Sequence, residues 1–117
     1  MIPNLVVCGD YNICHEAIDI HDPKGNKDSR GFLPEERAWM TKFFKNGFVD
    51  TFRFLNPDVP HQYTWWSFRA NARNNNKGWR IDYISVNKEL STQLIEAKIL
   101  PNDIQSDHCA SSAVVDL

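Results

Sequence analysis

The chain contains one strong helix-forming segment among several short strand-forming segments, and this ratio limits the folds that it can adopt. The helical segment reads LPEERAWMTKFFKNG, in which Pro34 suits the first helical position and Gly47 suits the end. The acidic Glu35 and Glu36 match the positive end of the helix dipole. The apolar face predicted for this helix holds Ala38, Trp39, Phe43 and Phe44.

The remaining apolar runs are short and indicate strands. Residues 4–9 are typical of a fully buried strand, and the long polar segment that follows, residues 10–31, is either functional or disordered. Residues 63–68 and 80–86 are predicted to pair as a hairpin. Residues 49–55 fit a short strand or a helical turn. Later strands are predicted at residues 97–100, after a short helix at 88–94, and at 111–117.

One helix cannot cover both faces of the sheet that these strands would form. We therefore expect an α+β fold in which a mostly antiparallel sheet carries the helix on one face and needs a further layer on the other. Either a partner supplies that layer, or the chain is part of something larger.

The amino-acid composition limits the cellular compartment and the binding partners that we expect for this protein. The net charge of −2 gives no overall attraction to nucleic acid, although a local basic strip or a metal-neutralised cleft is compatible with it. The three cysteines show no CxxC motif, which favours a reducing compartment where thiols serve as small apolar fillers. Because no apolar run approaches the length of a membrane span, we expect a cytoplasmic protein without a membrane partner.

The first polar cluster, GDYN, ends the strand of residues 4–9. Asp10 and Asn12 are two residues apart, and in an extended chain this spacing places both side chains on one side. The pair fits two interpretations. One is Asx turns, which the residue types favour, and the other is the edge of a site that handles a phosphate or a metal.

Two further polar clusters have equally ordinary interpretations on their own. Asp82 in WRIDY fits an outward residue on a half-exposed strand or an ion-pair partner of Arg80. Asp107 and His108 in SDH fit a surface loop. Together with GDYN, however, these clusters supply carboxylates, an amide and an imidazole. These are the groups that metal-assisted hydrolysis of a phosphate ester requires.

In this order and spacing, GDYN, GWRIDY and SDH resemble the second half of the exonuclease III family of apurinic/apyrimidinic endonucleases, which has the endonuclease/exonuclease/phosphatase fold. HEAIDIHDPKGN, GFLPEER, YTWWSF and NAR extend the resemblance over nearly the whole chain. That fold is a four-layer α/β sandwich of the DNase I type. The resemblance therefore implies that residues 1–117 form a single partial domain, the C-terminal half of such a sandwich.

The resemblance also implies a reaction: hydrolysis, with Mg²⁺ or Mn²⁺, of the phosphodiester 5′ to an abasic site in duplex DNA. This is a step of base excision repair, and 3′→5′ exonuclease or 3′-phosphodiesterase activity accompanies it in the family. Asp10 resembles the carboxylate that activates the attacking water and binds metal, and Asn12 resembles its companion on the scissile phosphate. Asp82 resembles the acid that hydrogen-bonds the catalytic imidazole of His108. Asp107 resembles a metal-associated acid.

DNA contacts follow from the same resemblance. Trp79 and Trp65 resemble the aromatic wall of the pocket that receives the flipped-out abasic sugar. Strand alternation allows either Trp65 or Trp66 to be the core residue while the other lines the cleft. Asn71 and Arg73 of NAR resemble residues of a DNA-facing loop.

A local basic strip without an acidic member lies near these aromatic residues. It suits phosphate contacts, or it is an ordinary solvated hairpin tip. Its members are Arg69, Arg73, Lys77 and Arg80.

The first half of the family's domain has no counterpart in this sequence. In the family, that half supplies a Glu metal ligand, a further Asn and a Tyr near the phosphate. We therefore expect the missing N-terminal half to be a partner, and the chain alone to show little activity. Two other functions stay open. One is another metal-dependent phosphoesterase of this fold, such as an inositol or lipid phosphatase. The other is a non-catalytic association module whose exposed sheet face favours self-association.

Overall fold

The computed structural model describes residues 4–117, and every strand pair in this range is antiparallel. The described strands are β1 (Val6–Asp10), β2 (Phe48–Asp50), β3 (Trp65–Trp66), β4 (Gly78–Trp79), β5 (Asp82–Asn87), β6 (Leu94–Leu100) and β7 (Ala110–Val115). The helices are α1 (Pro34–Lys45) and α2 (Thr51–Leu55), with short 3₁₀ helices at Ala17–Asp19 and Lys88–Gln93.

These elements form three antiparallel sheets, with the strand orders β1-β5-β2, β3-β4 and β6-β7. The predicted α+β class is confirmed. Residues 49–55, which fitted a strand or a helical turn, contain the end of β2 followed by α2. None of the helices within residues 4–117 has the length and apolarity needed to span a bilayer.

Helix α1 begins at Pro34, as predicted, and the side chain of Glu36 supports its start. Glu36 Oε1 accepts hydrogen bonds from the backbone N–H of Leu33 at 3.1 Å and of Gly31 at 2.7 Å. This carboxylate therefore satisfies a donor at the positive end of the helix and also anchors the end of the polar segment.

The face of α1 that packs on the sheet differs from the predicted face, which was wrong at Ala38 and Trp39. Met40 is fully buried, whereas Trp39 is 54% exposed and Ala38 is also exposed. Phe43 stacks on Phe48 of β2 with ring centres 4.6 Å apart. The packed face thus contains Met40 and Phe43, which are three residues apart. Trp39 is more exposed, and its ring stacks on the Phe43 ring with ring centres 5.7 Å apart.

The prediction that the first strand is fully buried was wrong. Within the described residues, β1 lies at the edge of the three-stranded sheet and pairs with β5 alone. Val6 is 53% exposed and Cys8 is also exposed. Because Val6 lies opposite Val86 and Cys8 opposite Ile84, the two exposed side chains share one sheet face, which lacks cover over β1. The described residues contain one long helix, α1, which packs on β2 and leaves the side chains of β1 on this face uncovered.

The predicted hairpin between residues 63–68 and 80–86 was also wrong. Strand β3 pairs with the short β4, whereas β5 pairs with β1 and β2 in another sheet. The chain changes sheets at Arg80, whose side chain turns into the interior. Alternation within β3 buries Trp66 and leaves Trp65 half-buried, so one of the two predicted arrangements is realised.

Arg80 is the centre of a buried ion network and is only 1% exposed. Its Nε donates to Asp19 Oδ1 at 2.8 Å, and its Nη1 donates to Asp50 Oδ1 at 3.0 Å. Arg53 donates to the same oxygen of Asp19 at 2.6 Å. The network ties the 3₁₀ helix of the polar segment to β2, to α2 and to the start of β5.

The network keeps Arg80 and Asp19 in their charged forms. Burial by itself lowers the pKa of Arg80, but the carboxylates of Asp50 and Asp19 outweigh burial and raise this pKa well above its ordinary value. Burial raises the pKa of Asp19, yet Arg80 and Arg53 outweigh it and lower the pKa. The stabilisation from Asp19 is therefore complete above the ordinary carboxylate pKa, and it is lost as the pH falls through the folded value.

Two of the three cysteines are buried, as expected for thiols that serve as small apolar fillers. Cys14 and Cys109 are buried, whereas Cys8 is exposed, and all three thiols are free. Burial raises the pKa of Cys109 to about 11, which keeps this thiol protonated and unreactive near neutral pH.

Replacing Arg80 by Met is expected to lower the free energy of unfolding by about 3–5 kcal/mol, because Asp19 and Asp50 lose their shared buried counter-charge. Urea denaturation followed by circular dichroism measures this quantity. Arg69→Met, at an exposed position, is the matched control and is expected to change it by less than about 0.5 kcal/mol. A loss below about 1 kcal/mol for Arg80→Met would show that the network does not hold the fold.

Candidate active site

Asp10 and Asn12 form the Asx turn that the sequence allowed, and their place at a phosphate or metal site stays a prediction. The backbone N–H of Asn12 donates to Asp10 Oδ1 at 2.8 Å, which closes an Asx turn, and Asn12 has a positive φ of 57°. Tyr11 points to the opposite face, where its ring stacks on Tyr83 at 4.9 Å. The turn uses one carboxylate oxygen of Asp10 and leaves the other free to face His108.

Asp82 and His108 form a direct pair next to Asp10. Asp82 lies opposite Asp10 in the register of β1 and β5, so both carboxylates project from the same sheet face. His108 Nδ1 donates to Asp82 Oδ2 at 2.7 Å, and His108 Nε2 lies 3.8 Å from Asp10 Oδ2. The structure thus brings together three of the residues predicted to be catalytic, whose individual roles stay predictions.

Thr64, the residue immediately before β3, holds this pair in place. The backbone N–H of Cys109 donates to the Thr64 carbonyl at 2.8 Å, and Trp65 forms an antiparallel bridge with His108. The buried hydroxyl of Thr64 accepts from the backbone N–H of Asp82 at 3.2 Å. One buried threonine therefore positions the backbone on both sides of the Asp82–His108 hydrogen bond.

The environment of His108 favours the protonated ring. Partial burial lowers the pKa of His108, but the hydrogen bond to Asp82 and the charges of Asp82, Asp10 and Asp107 outweigh burial and raise this pKa. Because the folded pKa is raised, the stabilisation from this ring is complete below the ordinary histidine pKa and is lost as the pH rises through the folded value. With Nδ1 held by Asp82, Nε2 is the nitrogen that can meet a ligand.

The same residues can hold a divalent metal ion. Among residues 4–117, Asp10, Asp82 and His108 form a group in which one ligand atom from each lies within 4.8 Å of the others. The two carboxylates are hard oxygen ligands of the kind that Mg²⁺ uses while it keeps several waters, whereas imidazole suits Mn²⁺ better. Since His108 Nδ1 is engaged by Asp82, the donor set fits an ion bound chiefly by the two carboxylates.

Asp107, which the resemblance made a metal-associated acid, lies outside this group in the described part of the chain. Its Oδ2 accepts from Trp65 Nε1 at 3.0 Å, and the Ser106 hydroxyl donates to its Oδ1 at 3.2 Å. The hydrogen bond from Trp65 is the main reason that the pKa of Asp107 is lowered. Asp107 therefore orients the Trp65 indole, and its role at a metal stays a prediction.

A cavity of about 420 Å³ opens beside His108 and has two aromatic walls. Trp65 and Trp79 pack edge to face with ring centres 5.9 Å apart. Asn12 and His108 also line this cavity, so the candidate phosphate-handling groups and the indoles share one opening. Trp66 is the core residue of the Trp pair and takes no part in the lining.

Gly31 fixes the loop that closes one side of the cavity. It has a φ of +94°, and a Cβ at this position would lie 2.8 Å from the Trp79 ring and 3.1 Å from the Asn12 carbonyl oxygen. Its N–H donates to Glu36 at 2.7 Å, and its carbonyl accepts from the N–H of Cys14 at 2.8 Å. The end of the polar segment is therefore held against the site, which favours the functional interpretation of this segment over disorder.

The assignment of Arg80 to DNA contacts is wrong. Its guanidinium lies between Asp19 and Asp50 in the interior and leaves no surface for a phosphate. The alternative that paired it with Asp82 is also wrong, because Asp82 pairs with His108. The sequence neighbours of Arg80 did not predict its ion-pair partners, because Asp19 and Asp50 come from distant segments of the chain.

The other predicted DNA-binding residues lie on the surface near β3 and β4. Asn71 is exposed with a φ of 55°, and its Oδ1 accepts from Asn74 at 2.7 Å. Lys77 is also exposed. The Arg73 guanidinium lies over the Trp66 ring at 4.4 Å. It donates hydrogen bonds to backbone carbonyls of the same chain, which weakens its assignment to DNA. The acceptors of Arg73 are the backbone carbonyls of Pro101, Asp103 and Ser106. The assignments of Asn71 and Lys77 stay predictions.

Three residues that line the cavity were not found from the sequence: Ser29, Arg30 and Ile81. Ile81 could have been found, because it lies between Trp79 and Asp82, which were both selected. Ser29 and Arg30 belong to the long polar segment, whose length indicated a function but whose residues carry no motif of their own.

Comparison with known proteins agrees with the fold described above. The Endonuclease/Exonuclease/phosphatase family matches residues 2–108. The chain is 42% identical over 113 residues to the exodeoxyribonuclease of Bacillus subtilis (strain 168) and 46% identical over 105 residues to the DNA repair nuclease APEX1 of Danio rerio. A solved AP endonuclease from Archaeoglobus fulgidus matches with a TM-score of 0.91 at 30% identity, which confirms the predicted fold.

These matches cover nearly all of this chain but less than half of each relative. They include 97% of the chain and 45% of the exodeoxyribonuclease, and 90% of the chain and 34% of APEX1. For the solved AP endonuclease the shares are 97% and 46%. The chain therefore spans between a third and a half of the length of the relatives that it matches.

Replacing Asp82 by Asn is expected to lower the pKa of His108, because the hydrogen-bonded negative charge disappears while the partial burial of the ring remains. An NMR titration of the imidazole resonances measures this pKa directly. Asp58→Asn, at an exposed acid, is the matched control and should leave the His108 titration unchanged. An unaltered pKa in the Asp82 variant would contradict the pairing.

Proposed function

Because the chain belongs to the endonuclease/exonuclease/phosphatase family, we propose that it carries the Asp–His part of the active site of a metal-dependent DNA-repair nuclease. The complete enzyme hydrolyses the phosphodiester 5′ to an abasic site in duplex DNA, and it also acts as an exonuclease or phosphodiesterase on 3′ ends. The observation that carries this proposal is the Asp82–His108 hydrogen bond of 2.7 Å beside a cavity walled by Trp65 and Trp79.

In this mechanism His108 acts through Nε2. Asp82 holds the other ring nitrogen and favours the protonated form, so Nε2–H can donate to a phosphate oxygen on which negative charge develops. Asp10 Oδ2, 3.8 Å from Nε2, is placed to orient the attacking water and to accept its proton. The side-chain amide of Asn12 can donate a further hydrogen bond to the phosphate.

Asp10 and Asp82 would hold the divalent ion, for which their paired carboxylates are suited. When bound, Mg²⁺ or Mn²⁺ supplies positive charge to the phosphate and lowers the pKa of a coordinated water. The resemblance places a further metal ligand in the part of the domain that this chain lacks. The chain alone is therefore expected to hold the ion weakly.

The aromatic cavity supports a DNA substrate. Trp65 and Trp79 offer two indole surfaces at right angles, and the Trp65 orientation is set by Asp107. A sugar without a base leaves the helical stack at low cost, and a cavity with aromatic walls beside the phosphate-handling groups can receive it. An inositol or lipid phosphatase would use the same Asp–His pair, so substrate competition must separate these classes.

The exposed face of β1 supports a role for association as well. Val6 is 53% exposed, and on the β6-β7 sheet Ile95 and Val114 are 62% and 43% exposed. In the proposed enzyme, the remaining half of the domain covers apolar surface of this kind. A module that only associates with itself would expose the same residues, and light scattering on the purified chain distinguishes a monomer from such an assembly.

Cleavage of a duplex oligonucleotide with one abasic-site analogue, in Mg²⁺ and in EDTA, tests the proposed function. The chain is assayed alone and together with the N-terminal half of a homologous family member. We expect cleavage 5′ to the analogue when both parts and Mg²⁺ are present, and little with the chain alone. Preferential hydrolysis of a phosphoinositide under the same conditions would contradict the assignment to DNA repair.

In that two-part assay, His108→Asn is expected to reduce the cleavage rate by at least about 100-fold, because the ring donates to the developing charge. His61→Asn, at an exposed histidine, is the control and should retain the full rate. Full activity of the His108 variant would rule out the proposed role of the Asp82–His108 pair.

A further inference from the structure

Asp107 and His108 are consecutive residues, yet their side chains have partners in different parts of the site. His108 Nδ1 donates to Asp82 Oδ2 at 2.7 Å, within the candidate metal group. Asp107 Oδ2 instead accepts from Trp65 Nε1 at 3.0 Å, beside the aromatic cavity. The resemblance that made Asp107 a metal-associated acid does not account for this hydrogen bond to an indole.

The backbone holds Asp107 and Trp65 in register. Trp65 forms an antiparallel bridge with His108, and the backbone N–H of Trp66 donates to the Asp107 carbonyl at 3.2 Å. The carboxylate of Asp107 therefore meets the indole of Trp65 because the two backbone segments that carry them are already paired.

The carboxylate of Asp107 is itself held at both oxygens. While Oδ2 accepts from Trp65, the hydroxyl of Ser106 donates to Oδ1 at 3.2 Å. The same hydroxyl accepts from the backbone N–H of His108 at 3.1 Å. Among residues 4–117, Asp107 lies outside the group whose ligand atoms are close enough together to share an ion. Its contacts thus suit a fixed hydrogen-bond acceptor better than a metal ligand.

Trp65 needs such an acceptor, because burial holds only part of its ring. The side chain is half-buried and packs against the cluster of Cys14, Ile20, Phe32 and Ile81. It also lines the cavity. The indole has a single N–H donor, and its hydrogen bond to a carboxylate is charge-assisted and directional. This hydrogen bond selects one orientation of the ring and so fixes one wall of the cavity.

We infer that Asp107 is a positioning residue for substrate recognition, which holds the Trp65 ring in the orientation that receives the base-less sugar of duplex DNA and acts without a metal ion. A ring that is fixed in advance loses little freedom when the sugar enters, so the preference for an abasic site over intact DNA is larger. The inference rests on the proposed function and deepens it, because it assigns the neighbouring residues Asp107 and His108 to recognition and to chemistry, respectively.

NMR spectroscopy of the chain tests the hydrogen bond itself. The indole N–H resonance of Trp65 is identified as the one that Trp65→Phe removes. Asp107→Ala is expected to shift this resonance upfield and to speed its exchange with water, because the acceptor is lost. Asp107→Asn removes the charge but keeps an acceptor oxygen, so it should retain most of the protection. An unchanged resonance in Asp107→Ala would overturn the inference.

DNA binding in EDTA separates positioning from metal binding. Fluorescence anisotropy gives dissociation constants for two labelled duplexes that differ only in one abasic-site analogue, for the chain alone and with the N-terminal half of a homologous family member. We expect a preference of about tenfold for the abasic duplex, the size of effect that one charge-assisted hydrogen bond supplies. Asp107→Ala should reduce this preference to less than about twofold, and Asp107→Asn should restore most of it.

Asp103→Ala, at an acid of the same loop that does not line the cavity, is the matched control and should preserve the preference. The measurements are repeated in Mg²⁺. An effect of Asp107→Ala that appears only with Mg²⁺ would assign this acid to a metal ion and would overturn the inference.

A double substitution tests whether Asp107 acts through Trp65. Trp65→Phe keeps an aromatic ring but lacks the N–H donor, so it should lower the preference for the abasic duplex as Asp107→Ala does. In the combined variant, Asp107→Ala is expected to cause less than about twofold further loss, because its partner is already absent. Losses that multiply would show that the acid acts by another route, which contradicts the inference.

The same data distinguish this inference from the proposed function. If the unsubstituted chain shows no preference for the abasic duplex under any of these conditions, the DNA-repair function is contradicted, and the inference with it. A preference that persists in Asp107→Ala overturns the inference alone. Thermal melting checks that each variant is folded. If Asp107→Ala does not fold, Trp65→Phe tests the same hydrogen bond by removing its donor.

Discussion

The buried guanidinium of Arg80 is the constraint on which the rest of the structure depends. Its carboxylate partners Asp19 and Asp50 come from the polar segment and from the end of β2, so one side chain joins parts of the chain that share no sheet. A charge removed from water is tolerated only when its partners surround it, and these partners cannot move apart without a large cost. The network therefore sets where the polar segment lies against the sheet.

The candidate site is built on this framework. Arg80 is two residues before Asp82, so the network anchors the start of β5 from which the Asp82 carboxylate reaches His108. The backbone N–H of Arg80 also donates to the Asp19 carbonyl at 2.8 Å, which draws the polar segment towards the cavity. At the far end of that segment, Gly31 packs against Trp79. The candidate catalytic groups, the aromatic walls of the cavity and the loop at Gly31 are thus joined by one set of contacts.

The sequence predicted the local features and missed those set by distant contacts. The Asx turn of GDYN, the two-residue alternation of the Trp pair and the boundaries of α1 depend on neighbouring residues, and these predictions agree with the structure. The burial of β1 and the pairing of β5 depend on which strands meet across the chain, which an apolar run cannot specify. Arg80 was assigned to DNA because its neighbours in sequence are basic, whereas its real partners are acids from other segments. Arg30 had no motif, and only its place beside the indoles reveals it.

Native-state hydrogen exchange tests the central claim that the site is preassembled by this buried framework. The informative amides are those of Tyr11, Arg80 and Cys109, which donate to Ile81, Asp19 and Thr64 across the junctions of the site. If the account is correct, these three amides exchange as slowly as the interior of β5, through the same cooperative opening. Exchange at the rate of an exposed turn amide, while β5 stays protected, would show that the junctions open independently and that the framework does not hold the site together.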